Sequence, residues 1–222
     1  MKLDALEARS VLRQCDFGAL ATLSAKLPGH PFVSHVPFAL DAEVRPVLLL
    51  SGLAEHTRNL LADARVSLMA TLPGPEPQSQ PRLTLMGEAA PIEPSRALLD
   101  RYLRYHPEAA TWIGFGDFRF FRLRPQRVRL ISGFARAGWI EAAQWSVPTL
   151  AETAEEALLA ELAPALPGAR LLGLDHEGCD FRDEHGGRRR LAWTPGAVDT
   201  AGLLAQAHAA LGGLRADGGA PR

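Results

Sequence analysis

Between Ser51 and Leu60 the chain reads SGLAEHTRNL, which sets two hydroxyls, an imidazole and a guanidinium where an apolar run gives way to a helical pattern. A helix start presents unpaired backbone N–H groups and the positive end of the macrodipole, which suits an anion. Ser51 and Thr57 would add hydroxyl donors, and His56 and Arg58 charged ones. Three charge-assisted bonds at ~1.5–3 kcal/mol each give roughly 5–9 kcal/mol. Micromolar binding needs about 8 kcal/mol before the losses on association. A phosphate grip alone is therefore marginal, and the ligand should also bury a flat apolar body, as a flavin nucleotide or a pyridoxal-type ligand does. Helix capping on a wet surface accounts for the same residues without any ligand.

Other groups invite weaker readings. His176, Cys179 and His185 have metal-ligating side chains, but their spacing matches no closed zinc module, and turn and strand positions explain them. His106 ends a predicted helix, where an imidazole suits the dipole. Arg119, Arg122, Arg127 and Arg129 alternate with apolar residues, which is the pattern of one wet and one core face. Asp117 and Glu88 have no second carboxylate at a spacing that marks a pair. The run Arg188-Arg189-Arg190 reads as a solvated strand edge. No Ser/His/Asp or Cys/His nucleophile constellation is visible.

The elements that must position these groups follow from periodicity. Residues 3–14 predict a short helix, and GALATLS (18–24) and FVSHVPFAL (32–40) predict strands. Pro37 places the second strand at an edge or a bulge. RPVLLLS (45–51) is nearly all apolar, as for a strand buried on both faces. A short helix near 55–62 leads to strands at 65–72 and 82–92, separated by a proline-rich exposed loop. Pro94 to Tyr105 predicts a helix, and residues 118–132 predict a hairpin turning at Pro125 and Gln126. Six or seven short strands with two inserted helices predict a closed or nearly closed antiparallel barrel. After Trp145 come an acidic helix ended by Pro164, two or three strands and a last helix, which make a small α+β domain. The expected divisions are 1–145, 146–214 and a disordered tail at 215–222.

Of the 222 residues, 47 % are hydrophobic and 22 % charged, an ordinary globular balance. A net charge of −1, from 24 basic and 25 acidic residues, argues against a dedicated nucleic-acid binder. No apolar run approaches the ~18 residues of a membrane span, and the N-terminus lacks a signal-peptide core. With two cysteines far apart, the expected setting is a reducing cytoplasm.

The order of GHPFVSHVPFALD, RPVLLLSGLAEHTRNLLADARVSLM and RLTLMGEA resembles the pyridoxamine 5′-phosphate oxidase-like family of flavin-binding split barrels. The endings RLRPQRVRLISGFARAGWI and ARLLGLDHEGCDFRD are similar to its haem-utilisation and haem-degrading branch, which carries a small C-terminal domain. The resemblance implies a mainly β protein: a split antiparallel β-barrel with an α+β appendage, working as a homodimer with FMN. By position, Ser51, His56, Thr57 and Arg58 would hold the phosphate, with His56-Thr57 standing where the family has a basic pair. Ser34, His35, Val36 and Arg82 would line the ring, and the function implied is that of a flavin-dependent oxidoreductase. In the turn Ser132-Gly133-Phe134-Ala135, Ser132 and Ala135 replace family glycines. The branch's His-Met-Asn-x-Asp-His segment is missing from the acidic helix. The alternative is binding or oxidative degradation of haem, which calls for an axial ligand from among His35, His106, His176, His185 and His208. A third reading is a cofactor-free dimeric binding module.

Overall fold

The computed structural model describes residues 4–76, 78–133, 136–193, 196 and 199–216. It divides into two compact units, residues 1–147 and 148–222.

The larger unit opens with α1 (Ala5–Arg13), whose first turn is capped by the Asp4 carboxylate accepting from Glu7 N–H. Then follow β1 (Phe17–Leu23), β2 (Pro31–Pro37), β3 (Ala39–Leu40), β4 (Pro46–Ser51), α2 (Glu55–Ala62), β5 (Arg65–Thr71) and β6 (Arg82–Ile92). The unit continues with α3 (Arg96–Tyr105), α4 (Ala109–Ile113), β7 (Phe118–Ile131), β8 (Ala137–Glu141) and α5 (Ala142–Trp145). The eight strands form one antiparallel sheet in the order β2-β1-β5-β6-β7-β4-β3, with β8 added on β7. This is the expected split barrel.

Alternation along each strand makes the barrel interior. Leu20, Leu48, Leu68, Leu83, Leu85, Phe121, Leu123 and Leu130 are fully buried, and α1 adds Ala8, Val11 and Leu12 to the same core. Every residue of β4 before Ser51 is buried, as its uniform apolarity required. Pro37 ends the edge strand β2, and the chain pairs again only at β3. Asn59 fastens α2 to this frame: its amide donates to Thr22 Oγ1 (2.9 Å), and its carbonyl accepts from Ala25 N–H (2.9 Å).

The predicted hairpin at Pro125 and Gln126 is not formed. β7 is one 14-residue strand that pairs with β6 from Phe120 to Ile131, and Pro125 sits in a bulge opposite Gly87. The bulge absorbs the proline because Gly87 has no side chain. A Cβ there would lie 2.0 Å from the Arg124 carbonyl oxygen. The hairpin falls later, between β7 and β8, where Gly133 takes φ +82° and Ser132 N–H donates to Arg136 O (2.9 Å). Ser132 needs no left-handed backbone, since Val44 is the only non-glycine residue with positive φ among those described. Its hydroxyl instead donates to Glu7 of α1, which also pairs with Arg136 at 3.1 Å. Ala135 lies outside the described residues.

The smaller unit holds α6 (Glu152–Leu162), a 3₁₀ turn (Ala163–Ala165), β9 (Arg170–Asp175), β10 (Gly178–Arg182), β11 (Arg188–Ala192) and α7 (Thr200–Ala216). Its sheet runs β11-β10-β9, and Leu158, Leu162, Leu174, Cys179, Phe181, Leu203 and Leu211 form the core. The arginine run is not a solvated edge: the side chains of Arg188 and Arg190 are 8 % and 3 % exposed. Arg190 donates to Asp175 (2.8 Å) and Asp180 (3.0 Å), and only Arg189 turns outward, to Asp183. Burial opposes the charge on Arg190, but the two aspartates outweigh it and hold its pKa above the ordinary value. α7 carries the chain to Ala216, past the expected start of the tail, and 217–222 lie outside the described residues.

Candidate functional site

β4 delivers Ser51 to the start of α2, and the turn between them is tied down by the loop before β7. Gly52 N–H donates to Asp117 O at 2.7 Å, and the Ser51 hydroxyl donates to Asp117 Oδ2 at 2.7 Å. The antiparallel pairing of Ser51 with Phe118 brings Asp117 there. No side chain caps the helix; its first residue is Glu55, which pairs with Lys26 (2.6 Å) and lies 4.0 Å from Arg58. Thr57 is fully buried, and its hydroxyl has no hydrogen-bond partner among the described residues. For a phosphate monoester this is a poor donor set. The ligand would meet the carboxylates of Asp117 and Glu55, with Arg58 drawn to Glu55 and Thr57 facing inward.

His56 is half-buried, and desolvation holds its pKa below the ordinary 6.5. The folded state therefore binds the proton less well than the unfolded chain. Its contribution to stability is complete above about 6.5 and is lost as pH falls through the window between 6.5 and the lower folded value. His56→Gln is expected to flatten the stability-against-pH curve below pH 6.5, measured by urea denaturation across pH 5–7.5.

The second place is the sheet face turned away from the barrel core. Strand register lines up His35, Ala19, Met69, Thr84, Arg129 and Trp139 in one row, and Val33, Ala21, Ser67, Met86, Arg127 and Glu141 in the next. Small residues stand at its middle, while Val33, Met69, Met86 and Trp139 are between 42 % and 60 % exposed, an unusual concentration of apolar surface. An open hollow of about 310 Å³ lies here, lined by Ala21, Leu23, Arg65, Ser67, Met86 and Gln126 among others. That is the lower end of the size typical for small-molecule sites.

Of the residues expected to line a ring, only His35 faces outward from β2. Ser34 and Val36 point inward, because neighbours on a strand take opposite faces, and the Ser34 hydroxyl has no partner. His35 stacks on Phe17 (centroids 5.3 Å apart, 18° between planes), and neither ring nitrogen has a hydrogen-bond partner among the described residues. Arg82 folds back to donate to the carbonyls of Gln78 (3.0 Å) and Gln80 (3.5 Å). The other histidines are placed differently. His106 is buried, with Nε2 2.8 Å from Phe38 O and Nδ1 3.4 Å from Glu108. His176 is buried in the smaller unit, and His185 and His208 are exposed there. Burial pushes the Cys179 thiol up to about 12, so it sits in its core as a neutral group.

Residues 1–147 match the family model described as CREG, beta-barrel. The chain belongs to the CREG beta-barrel family. It is 42 % identical over 133 residues to the non-canonical heme oxygenase HOZ of Arabidopsis thaliana, a match covering 59 % of this chain and 41 % of that protein. It is 32 % identical over 126 residues to the heme oxygenase HutZ of Vibrio cholerae, covering 53 % of this chain and 70 % of the relative. The chain thus spans about two fifths of the plant protein's length. A heme binding protein from Mycobacterium smegmatis superposes over 99 % of this chain and 100 % of its own, at TM-score 0.61 and 28 % identity. The Agrobacterium tumefaciens protein Atu2129, of unknown function, superposes at TM-score 0.73 and 25 % identity, covering 91 % of this CREG beta-barrel chain and 94 % of its own. Two heme oxygenases and a heme binding protein are thus among the relatives of this CREG beta-barrel protein, as the second of the sequence readings anticipated. Among the described residues no helix is long and apolar enough to cross a membrane.

Sequence reasoning missed Met69, Met86, Trp139 and the pairing of Ser51 with Asp117. The first three were legible in principle, as apolar residues on the wet phase of alternating strands. Asp117 was not, because 66 residues separate it from Ser51 and only the β4–β7 register joins them.

Proposed function

We propose that this chain binds haem on the outer sheet face, in a pocket that a second copy of the chain completes. The observation that carries this reading is His35: an outward imidazole with both nitrogens unpartnered among the described residues, on a face that also exposes the thioethers of Met69, two strands away, and Met86, three strands away. Imidazole and thioether are the common protein ligands of haem iron, and a flat porphyrin suits a floor of Ala19, Ala21 and Ser67. The hollow is too open to enclose a large ring alone, and a copy laid on Val33 and Met86 would both roof it and cover their apolar surface. The haem relatives support this choice over FMN, and so do the carboxylates at the β4–α2 turn, where a flavin's phosphate would need cations. Bound haem would supply the iron chemistry. The chain's part is to hold the iron through His35, orient the ring and exclude water. Oxidative degradation of haem is the activity we propose on the strength of the two relatives.

Absorption titration with haemin tests this directly. Wild type is expected to give a saturable Soret band, and His35→Ala a shifted or broadened one with weaker binding, while FMN added in parallel gives no saturable change. A Soret band unmoved by His35→Ala would remove the ligand assignment. Absence of saturable haemin binding by wild type would remove the haem reading.

A further inference from the structure

Where β3 gives way to β4, the turn from Asp41 to Arg45 is drawn around one carboxylate. Asp41 Oδ1 accepts from Glu43 N–H (3.0 Å) and Arg45 N–H (2.9 Å), and Oδ2 accepts from Arg45 Nε at 2.8 Å. Arg122 of β7 forms an ion pair with the same Oδ2, its Nε 2.9 Å away. The Asp41 side chain is almost wholly buried, so one inaccessible charge is divided between two guanidiniums and neutralises neither. Glu43 also pairs with Arg45, at 2.6 Å, but it is exposed, and solvent screens that contact. Arg124, two residues along β7 from Arg122, has no partner among the described residues, and no ion pair joins it to Glu88 opposite on β6.

Arg45 and Arg124 open onto a hollow of about 250 Å³ within the larger unit, lined also by Glu43, Pro125, Trp145 and Val147 among others. It shares no lining residue with the hollow on the outer sheet face, so this inference stands apart from the haem reading. Pro125, Val147 and Trp145 make its apolar wall, and the Trp145 indole donates to Val44 O at 3.2 Å, tying that wall to the turn. A guanidinium already held through Nε keeps outer amino groups for a ligand and loses little freedom when it binds one. Such a fork fits an oxyanion. Of the charged groups lining the hollow, two are guanidiniums and one is a carboxylate, which matches a monoanion. A phosphate dianion would leave a negative charge unpaired beside Glu43. The volume falls below the ~300 Å³ at the lower end of small-molecule sites, and admits an apolar body of about one ring. We propose that this hollow binds a small organic monocarboxylate, with its carboxylate on Arg124 and Arg45 and its body against Pro125, Val147 and Trp145. Glu43 is then the carboxylate that the ligand displaces from Arg45.

The test titrates the full-length chain with benzoate, with acetate as the carboxylate lacking a body and inorganic phosphate as the dianion, all at one ionic strength. Calorimetry is expected to show saturable benzoate binding, tighter than that of acetate or phosphate. Arg124→Gln, a change at an exposed side chain, is expected to weaken benzoate about tenfold, the share of one charge-assisted bond. Glu43→Gln is expected to tighten it about threefold, the share of an exposed ion pair, because Arg45 is released. In nitrogen-edited NMR spectra the indole N–H of Trp145 should shift along the same titration curve, while those of Trp112, Trp139 and Trp193 stay in place. No saturable benzoate binding, or Arg124→Gln binding benzoate like wild type, would overturn the site. So would a shift at Trp139 in place of Trp145, which would put the anion on the sheet face. Phosphate or acetate binding more tightly than benzoate would overturn the ligand class.

Discussion

Arg190→Met is expected to destabilise the smaller unit strongly. Its guanidinium, 3 % exposed, is the counter-charge for Asp180, also 3 % exposed, and for Asp175. Removing one partner of a buried pair leaves the other charge uncompensated, which costs about 3–5 kcal/mol. A unit of roughly 75 residues has only about 4–11 kcal/mol of stability in total, so this one change takes from about a quarter to all of it. Arg188, 3.8 Å from Asp180, remains as a second counter-charge to that carboxylate but does not replace the contact of Arg190 with Asp175. Urea denaturation followed by circular dichroism should show the transition of residues 148–222 moved to low denaturant. Adding Asp180→Asn to the variant should restore part of the loss, because the stranded charge is then gone. A midpoint unchanged by Arg190→Met would mean that the pair contributes nothing net.

The second large effect is at Gly87. Alanine there would place its Cβ 2.0 Å from the Arg124 carbonyl oxygen and 2.9 Å from its carbonyl carbon, both backbone atoms that cannot turn aside. The strands must separate or the bulge must move. Either breaks the β6–β7 pairing that holds Leu85 and Val128 in the core. A loss of about 3 kcal/mol, at the upper end for overpacking, corresponds to roughly 6–12 °C in Tm. Scanning calorimetry of the Gly87→Ala protein measures it. A Tm within about 2 °C of wild type would show that the bulge relaxes freely.

Gly87 also shows where sequence reading stops. Pro125 on an alternating pattern was read as the corner of a hairpin, since proline removes a ladder donor. The structure keeps the strand running, because a glycine 38 residues earlier in the chain makes room for a bulge, and no local pattern can report that pairing. Where the signal is local, reading succeeds: the all-apolar β4, the edge position of β2 that Pro37 signalled and the helix at 55–62 are all found, although the strand expected over 32–40 breaks after Pro37. Arg188 and Arg190 show the opposite case. Three successive arginines look solvated until β10 sets Asp180 opposite Arg190. The site divides in the same way. His35 could be picked out by residue type and phase, whereas its unpartnered nitrogens and the carboxylate against Ser51 are products of strand register.

β7 has a consequence for motion. Phe118–Arg122 pair with β4 and Arg127–Ile131 with β8, while β6 runs along the other side from Phe120 to Ile131, so most of the amides of β7 are held between two neighbours. Such amides exchange with solvent only when the barrel opens as a whole. β2 and β8, by contrast, each have one free edge and fray at much lower free energy. The proposed iron ligand thus sits on an edge strand of the sheet, while the small residues of the floor beside it are on interior strands. A ligand held at His35 would quiet that margin of the sheet and leave its spine as it was.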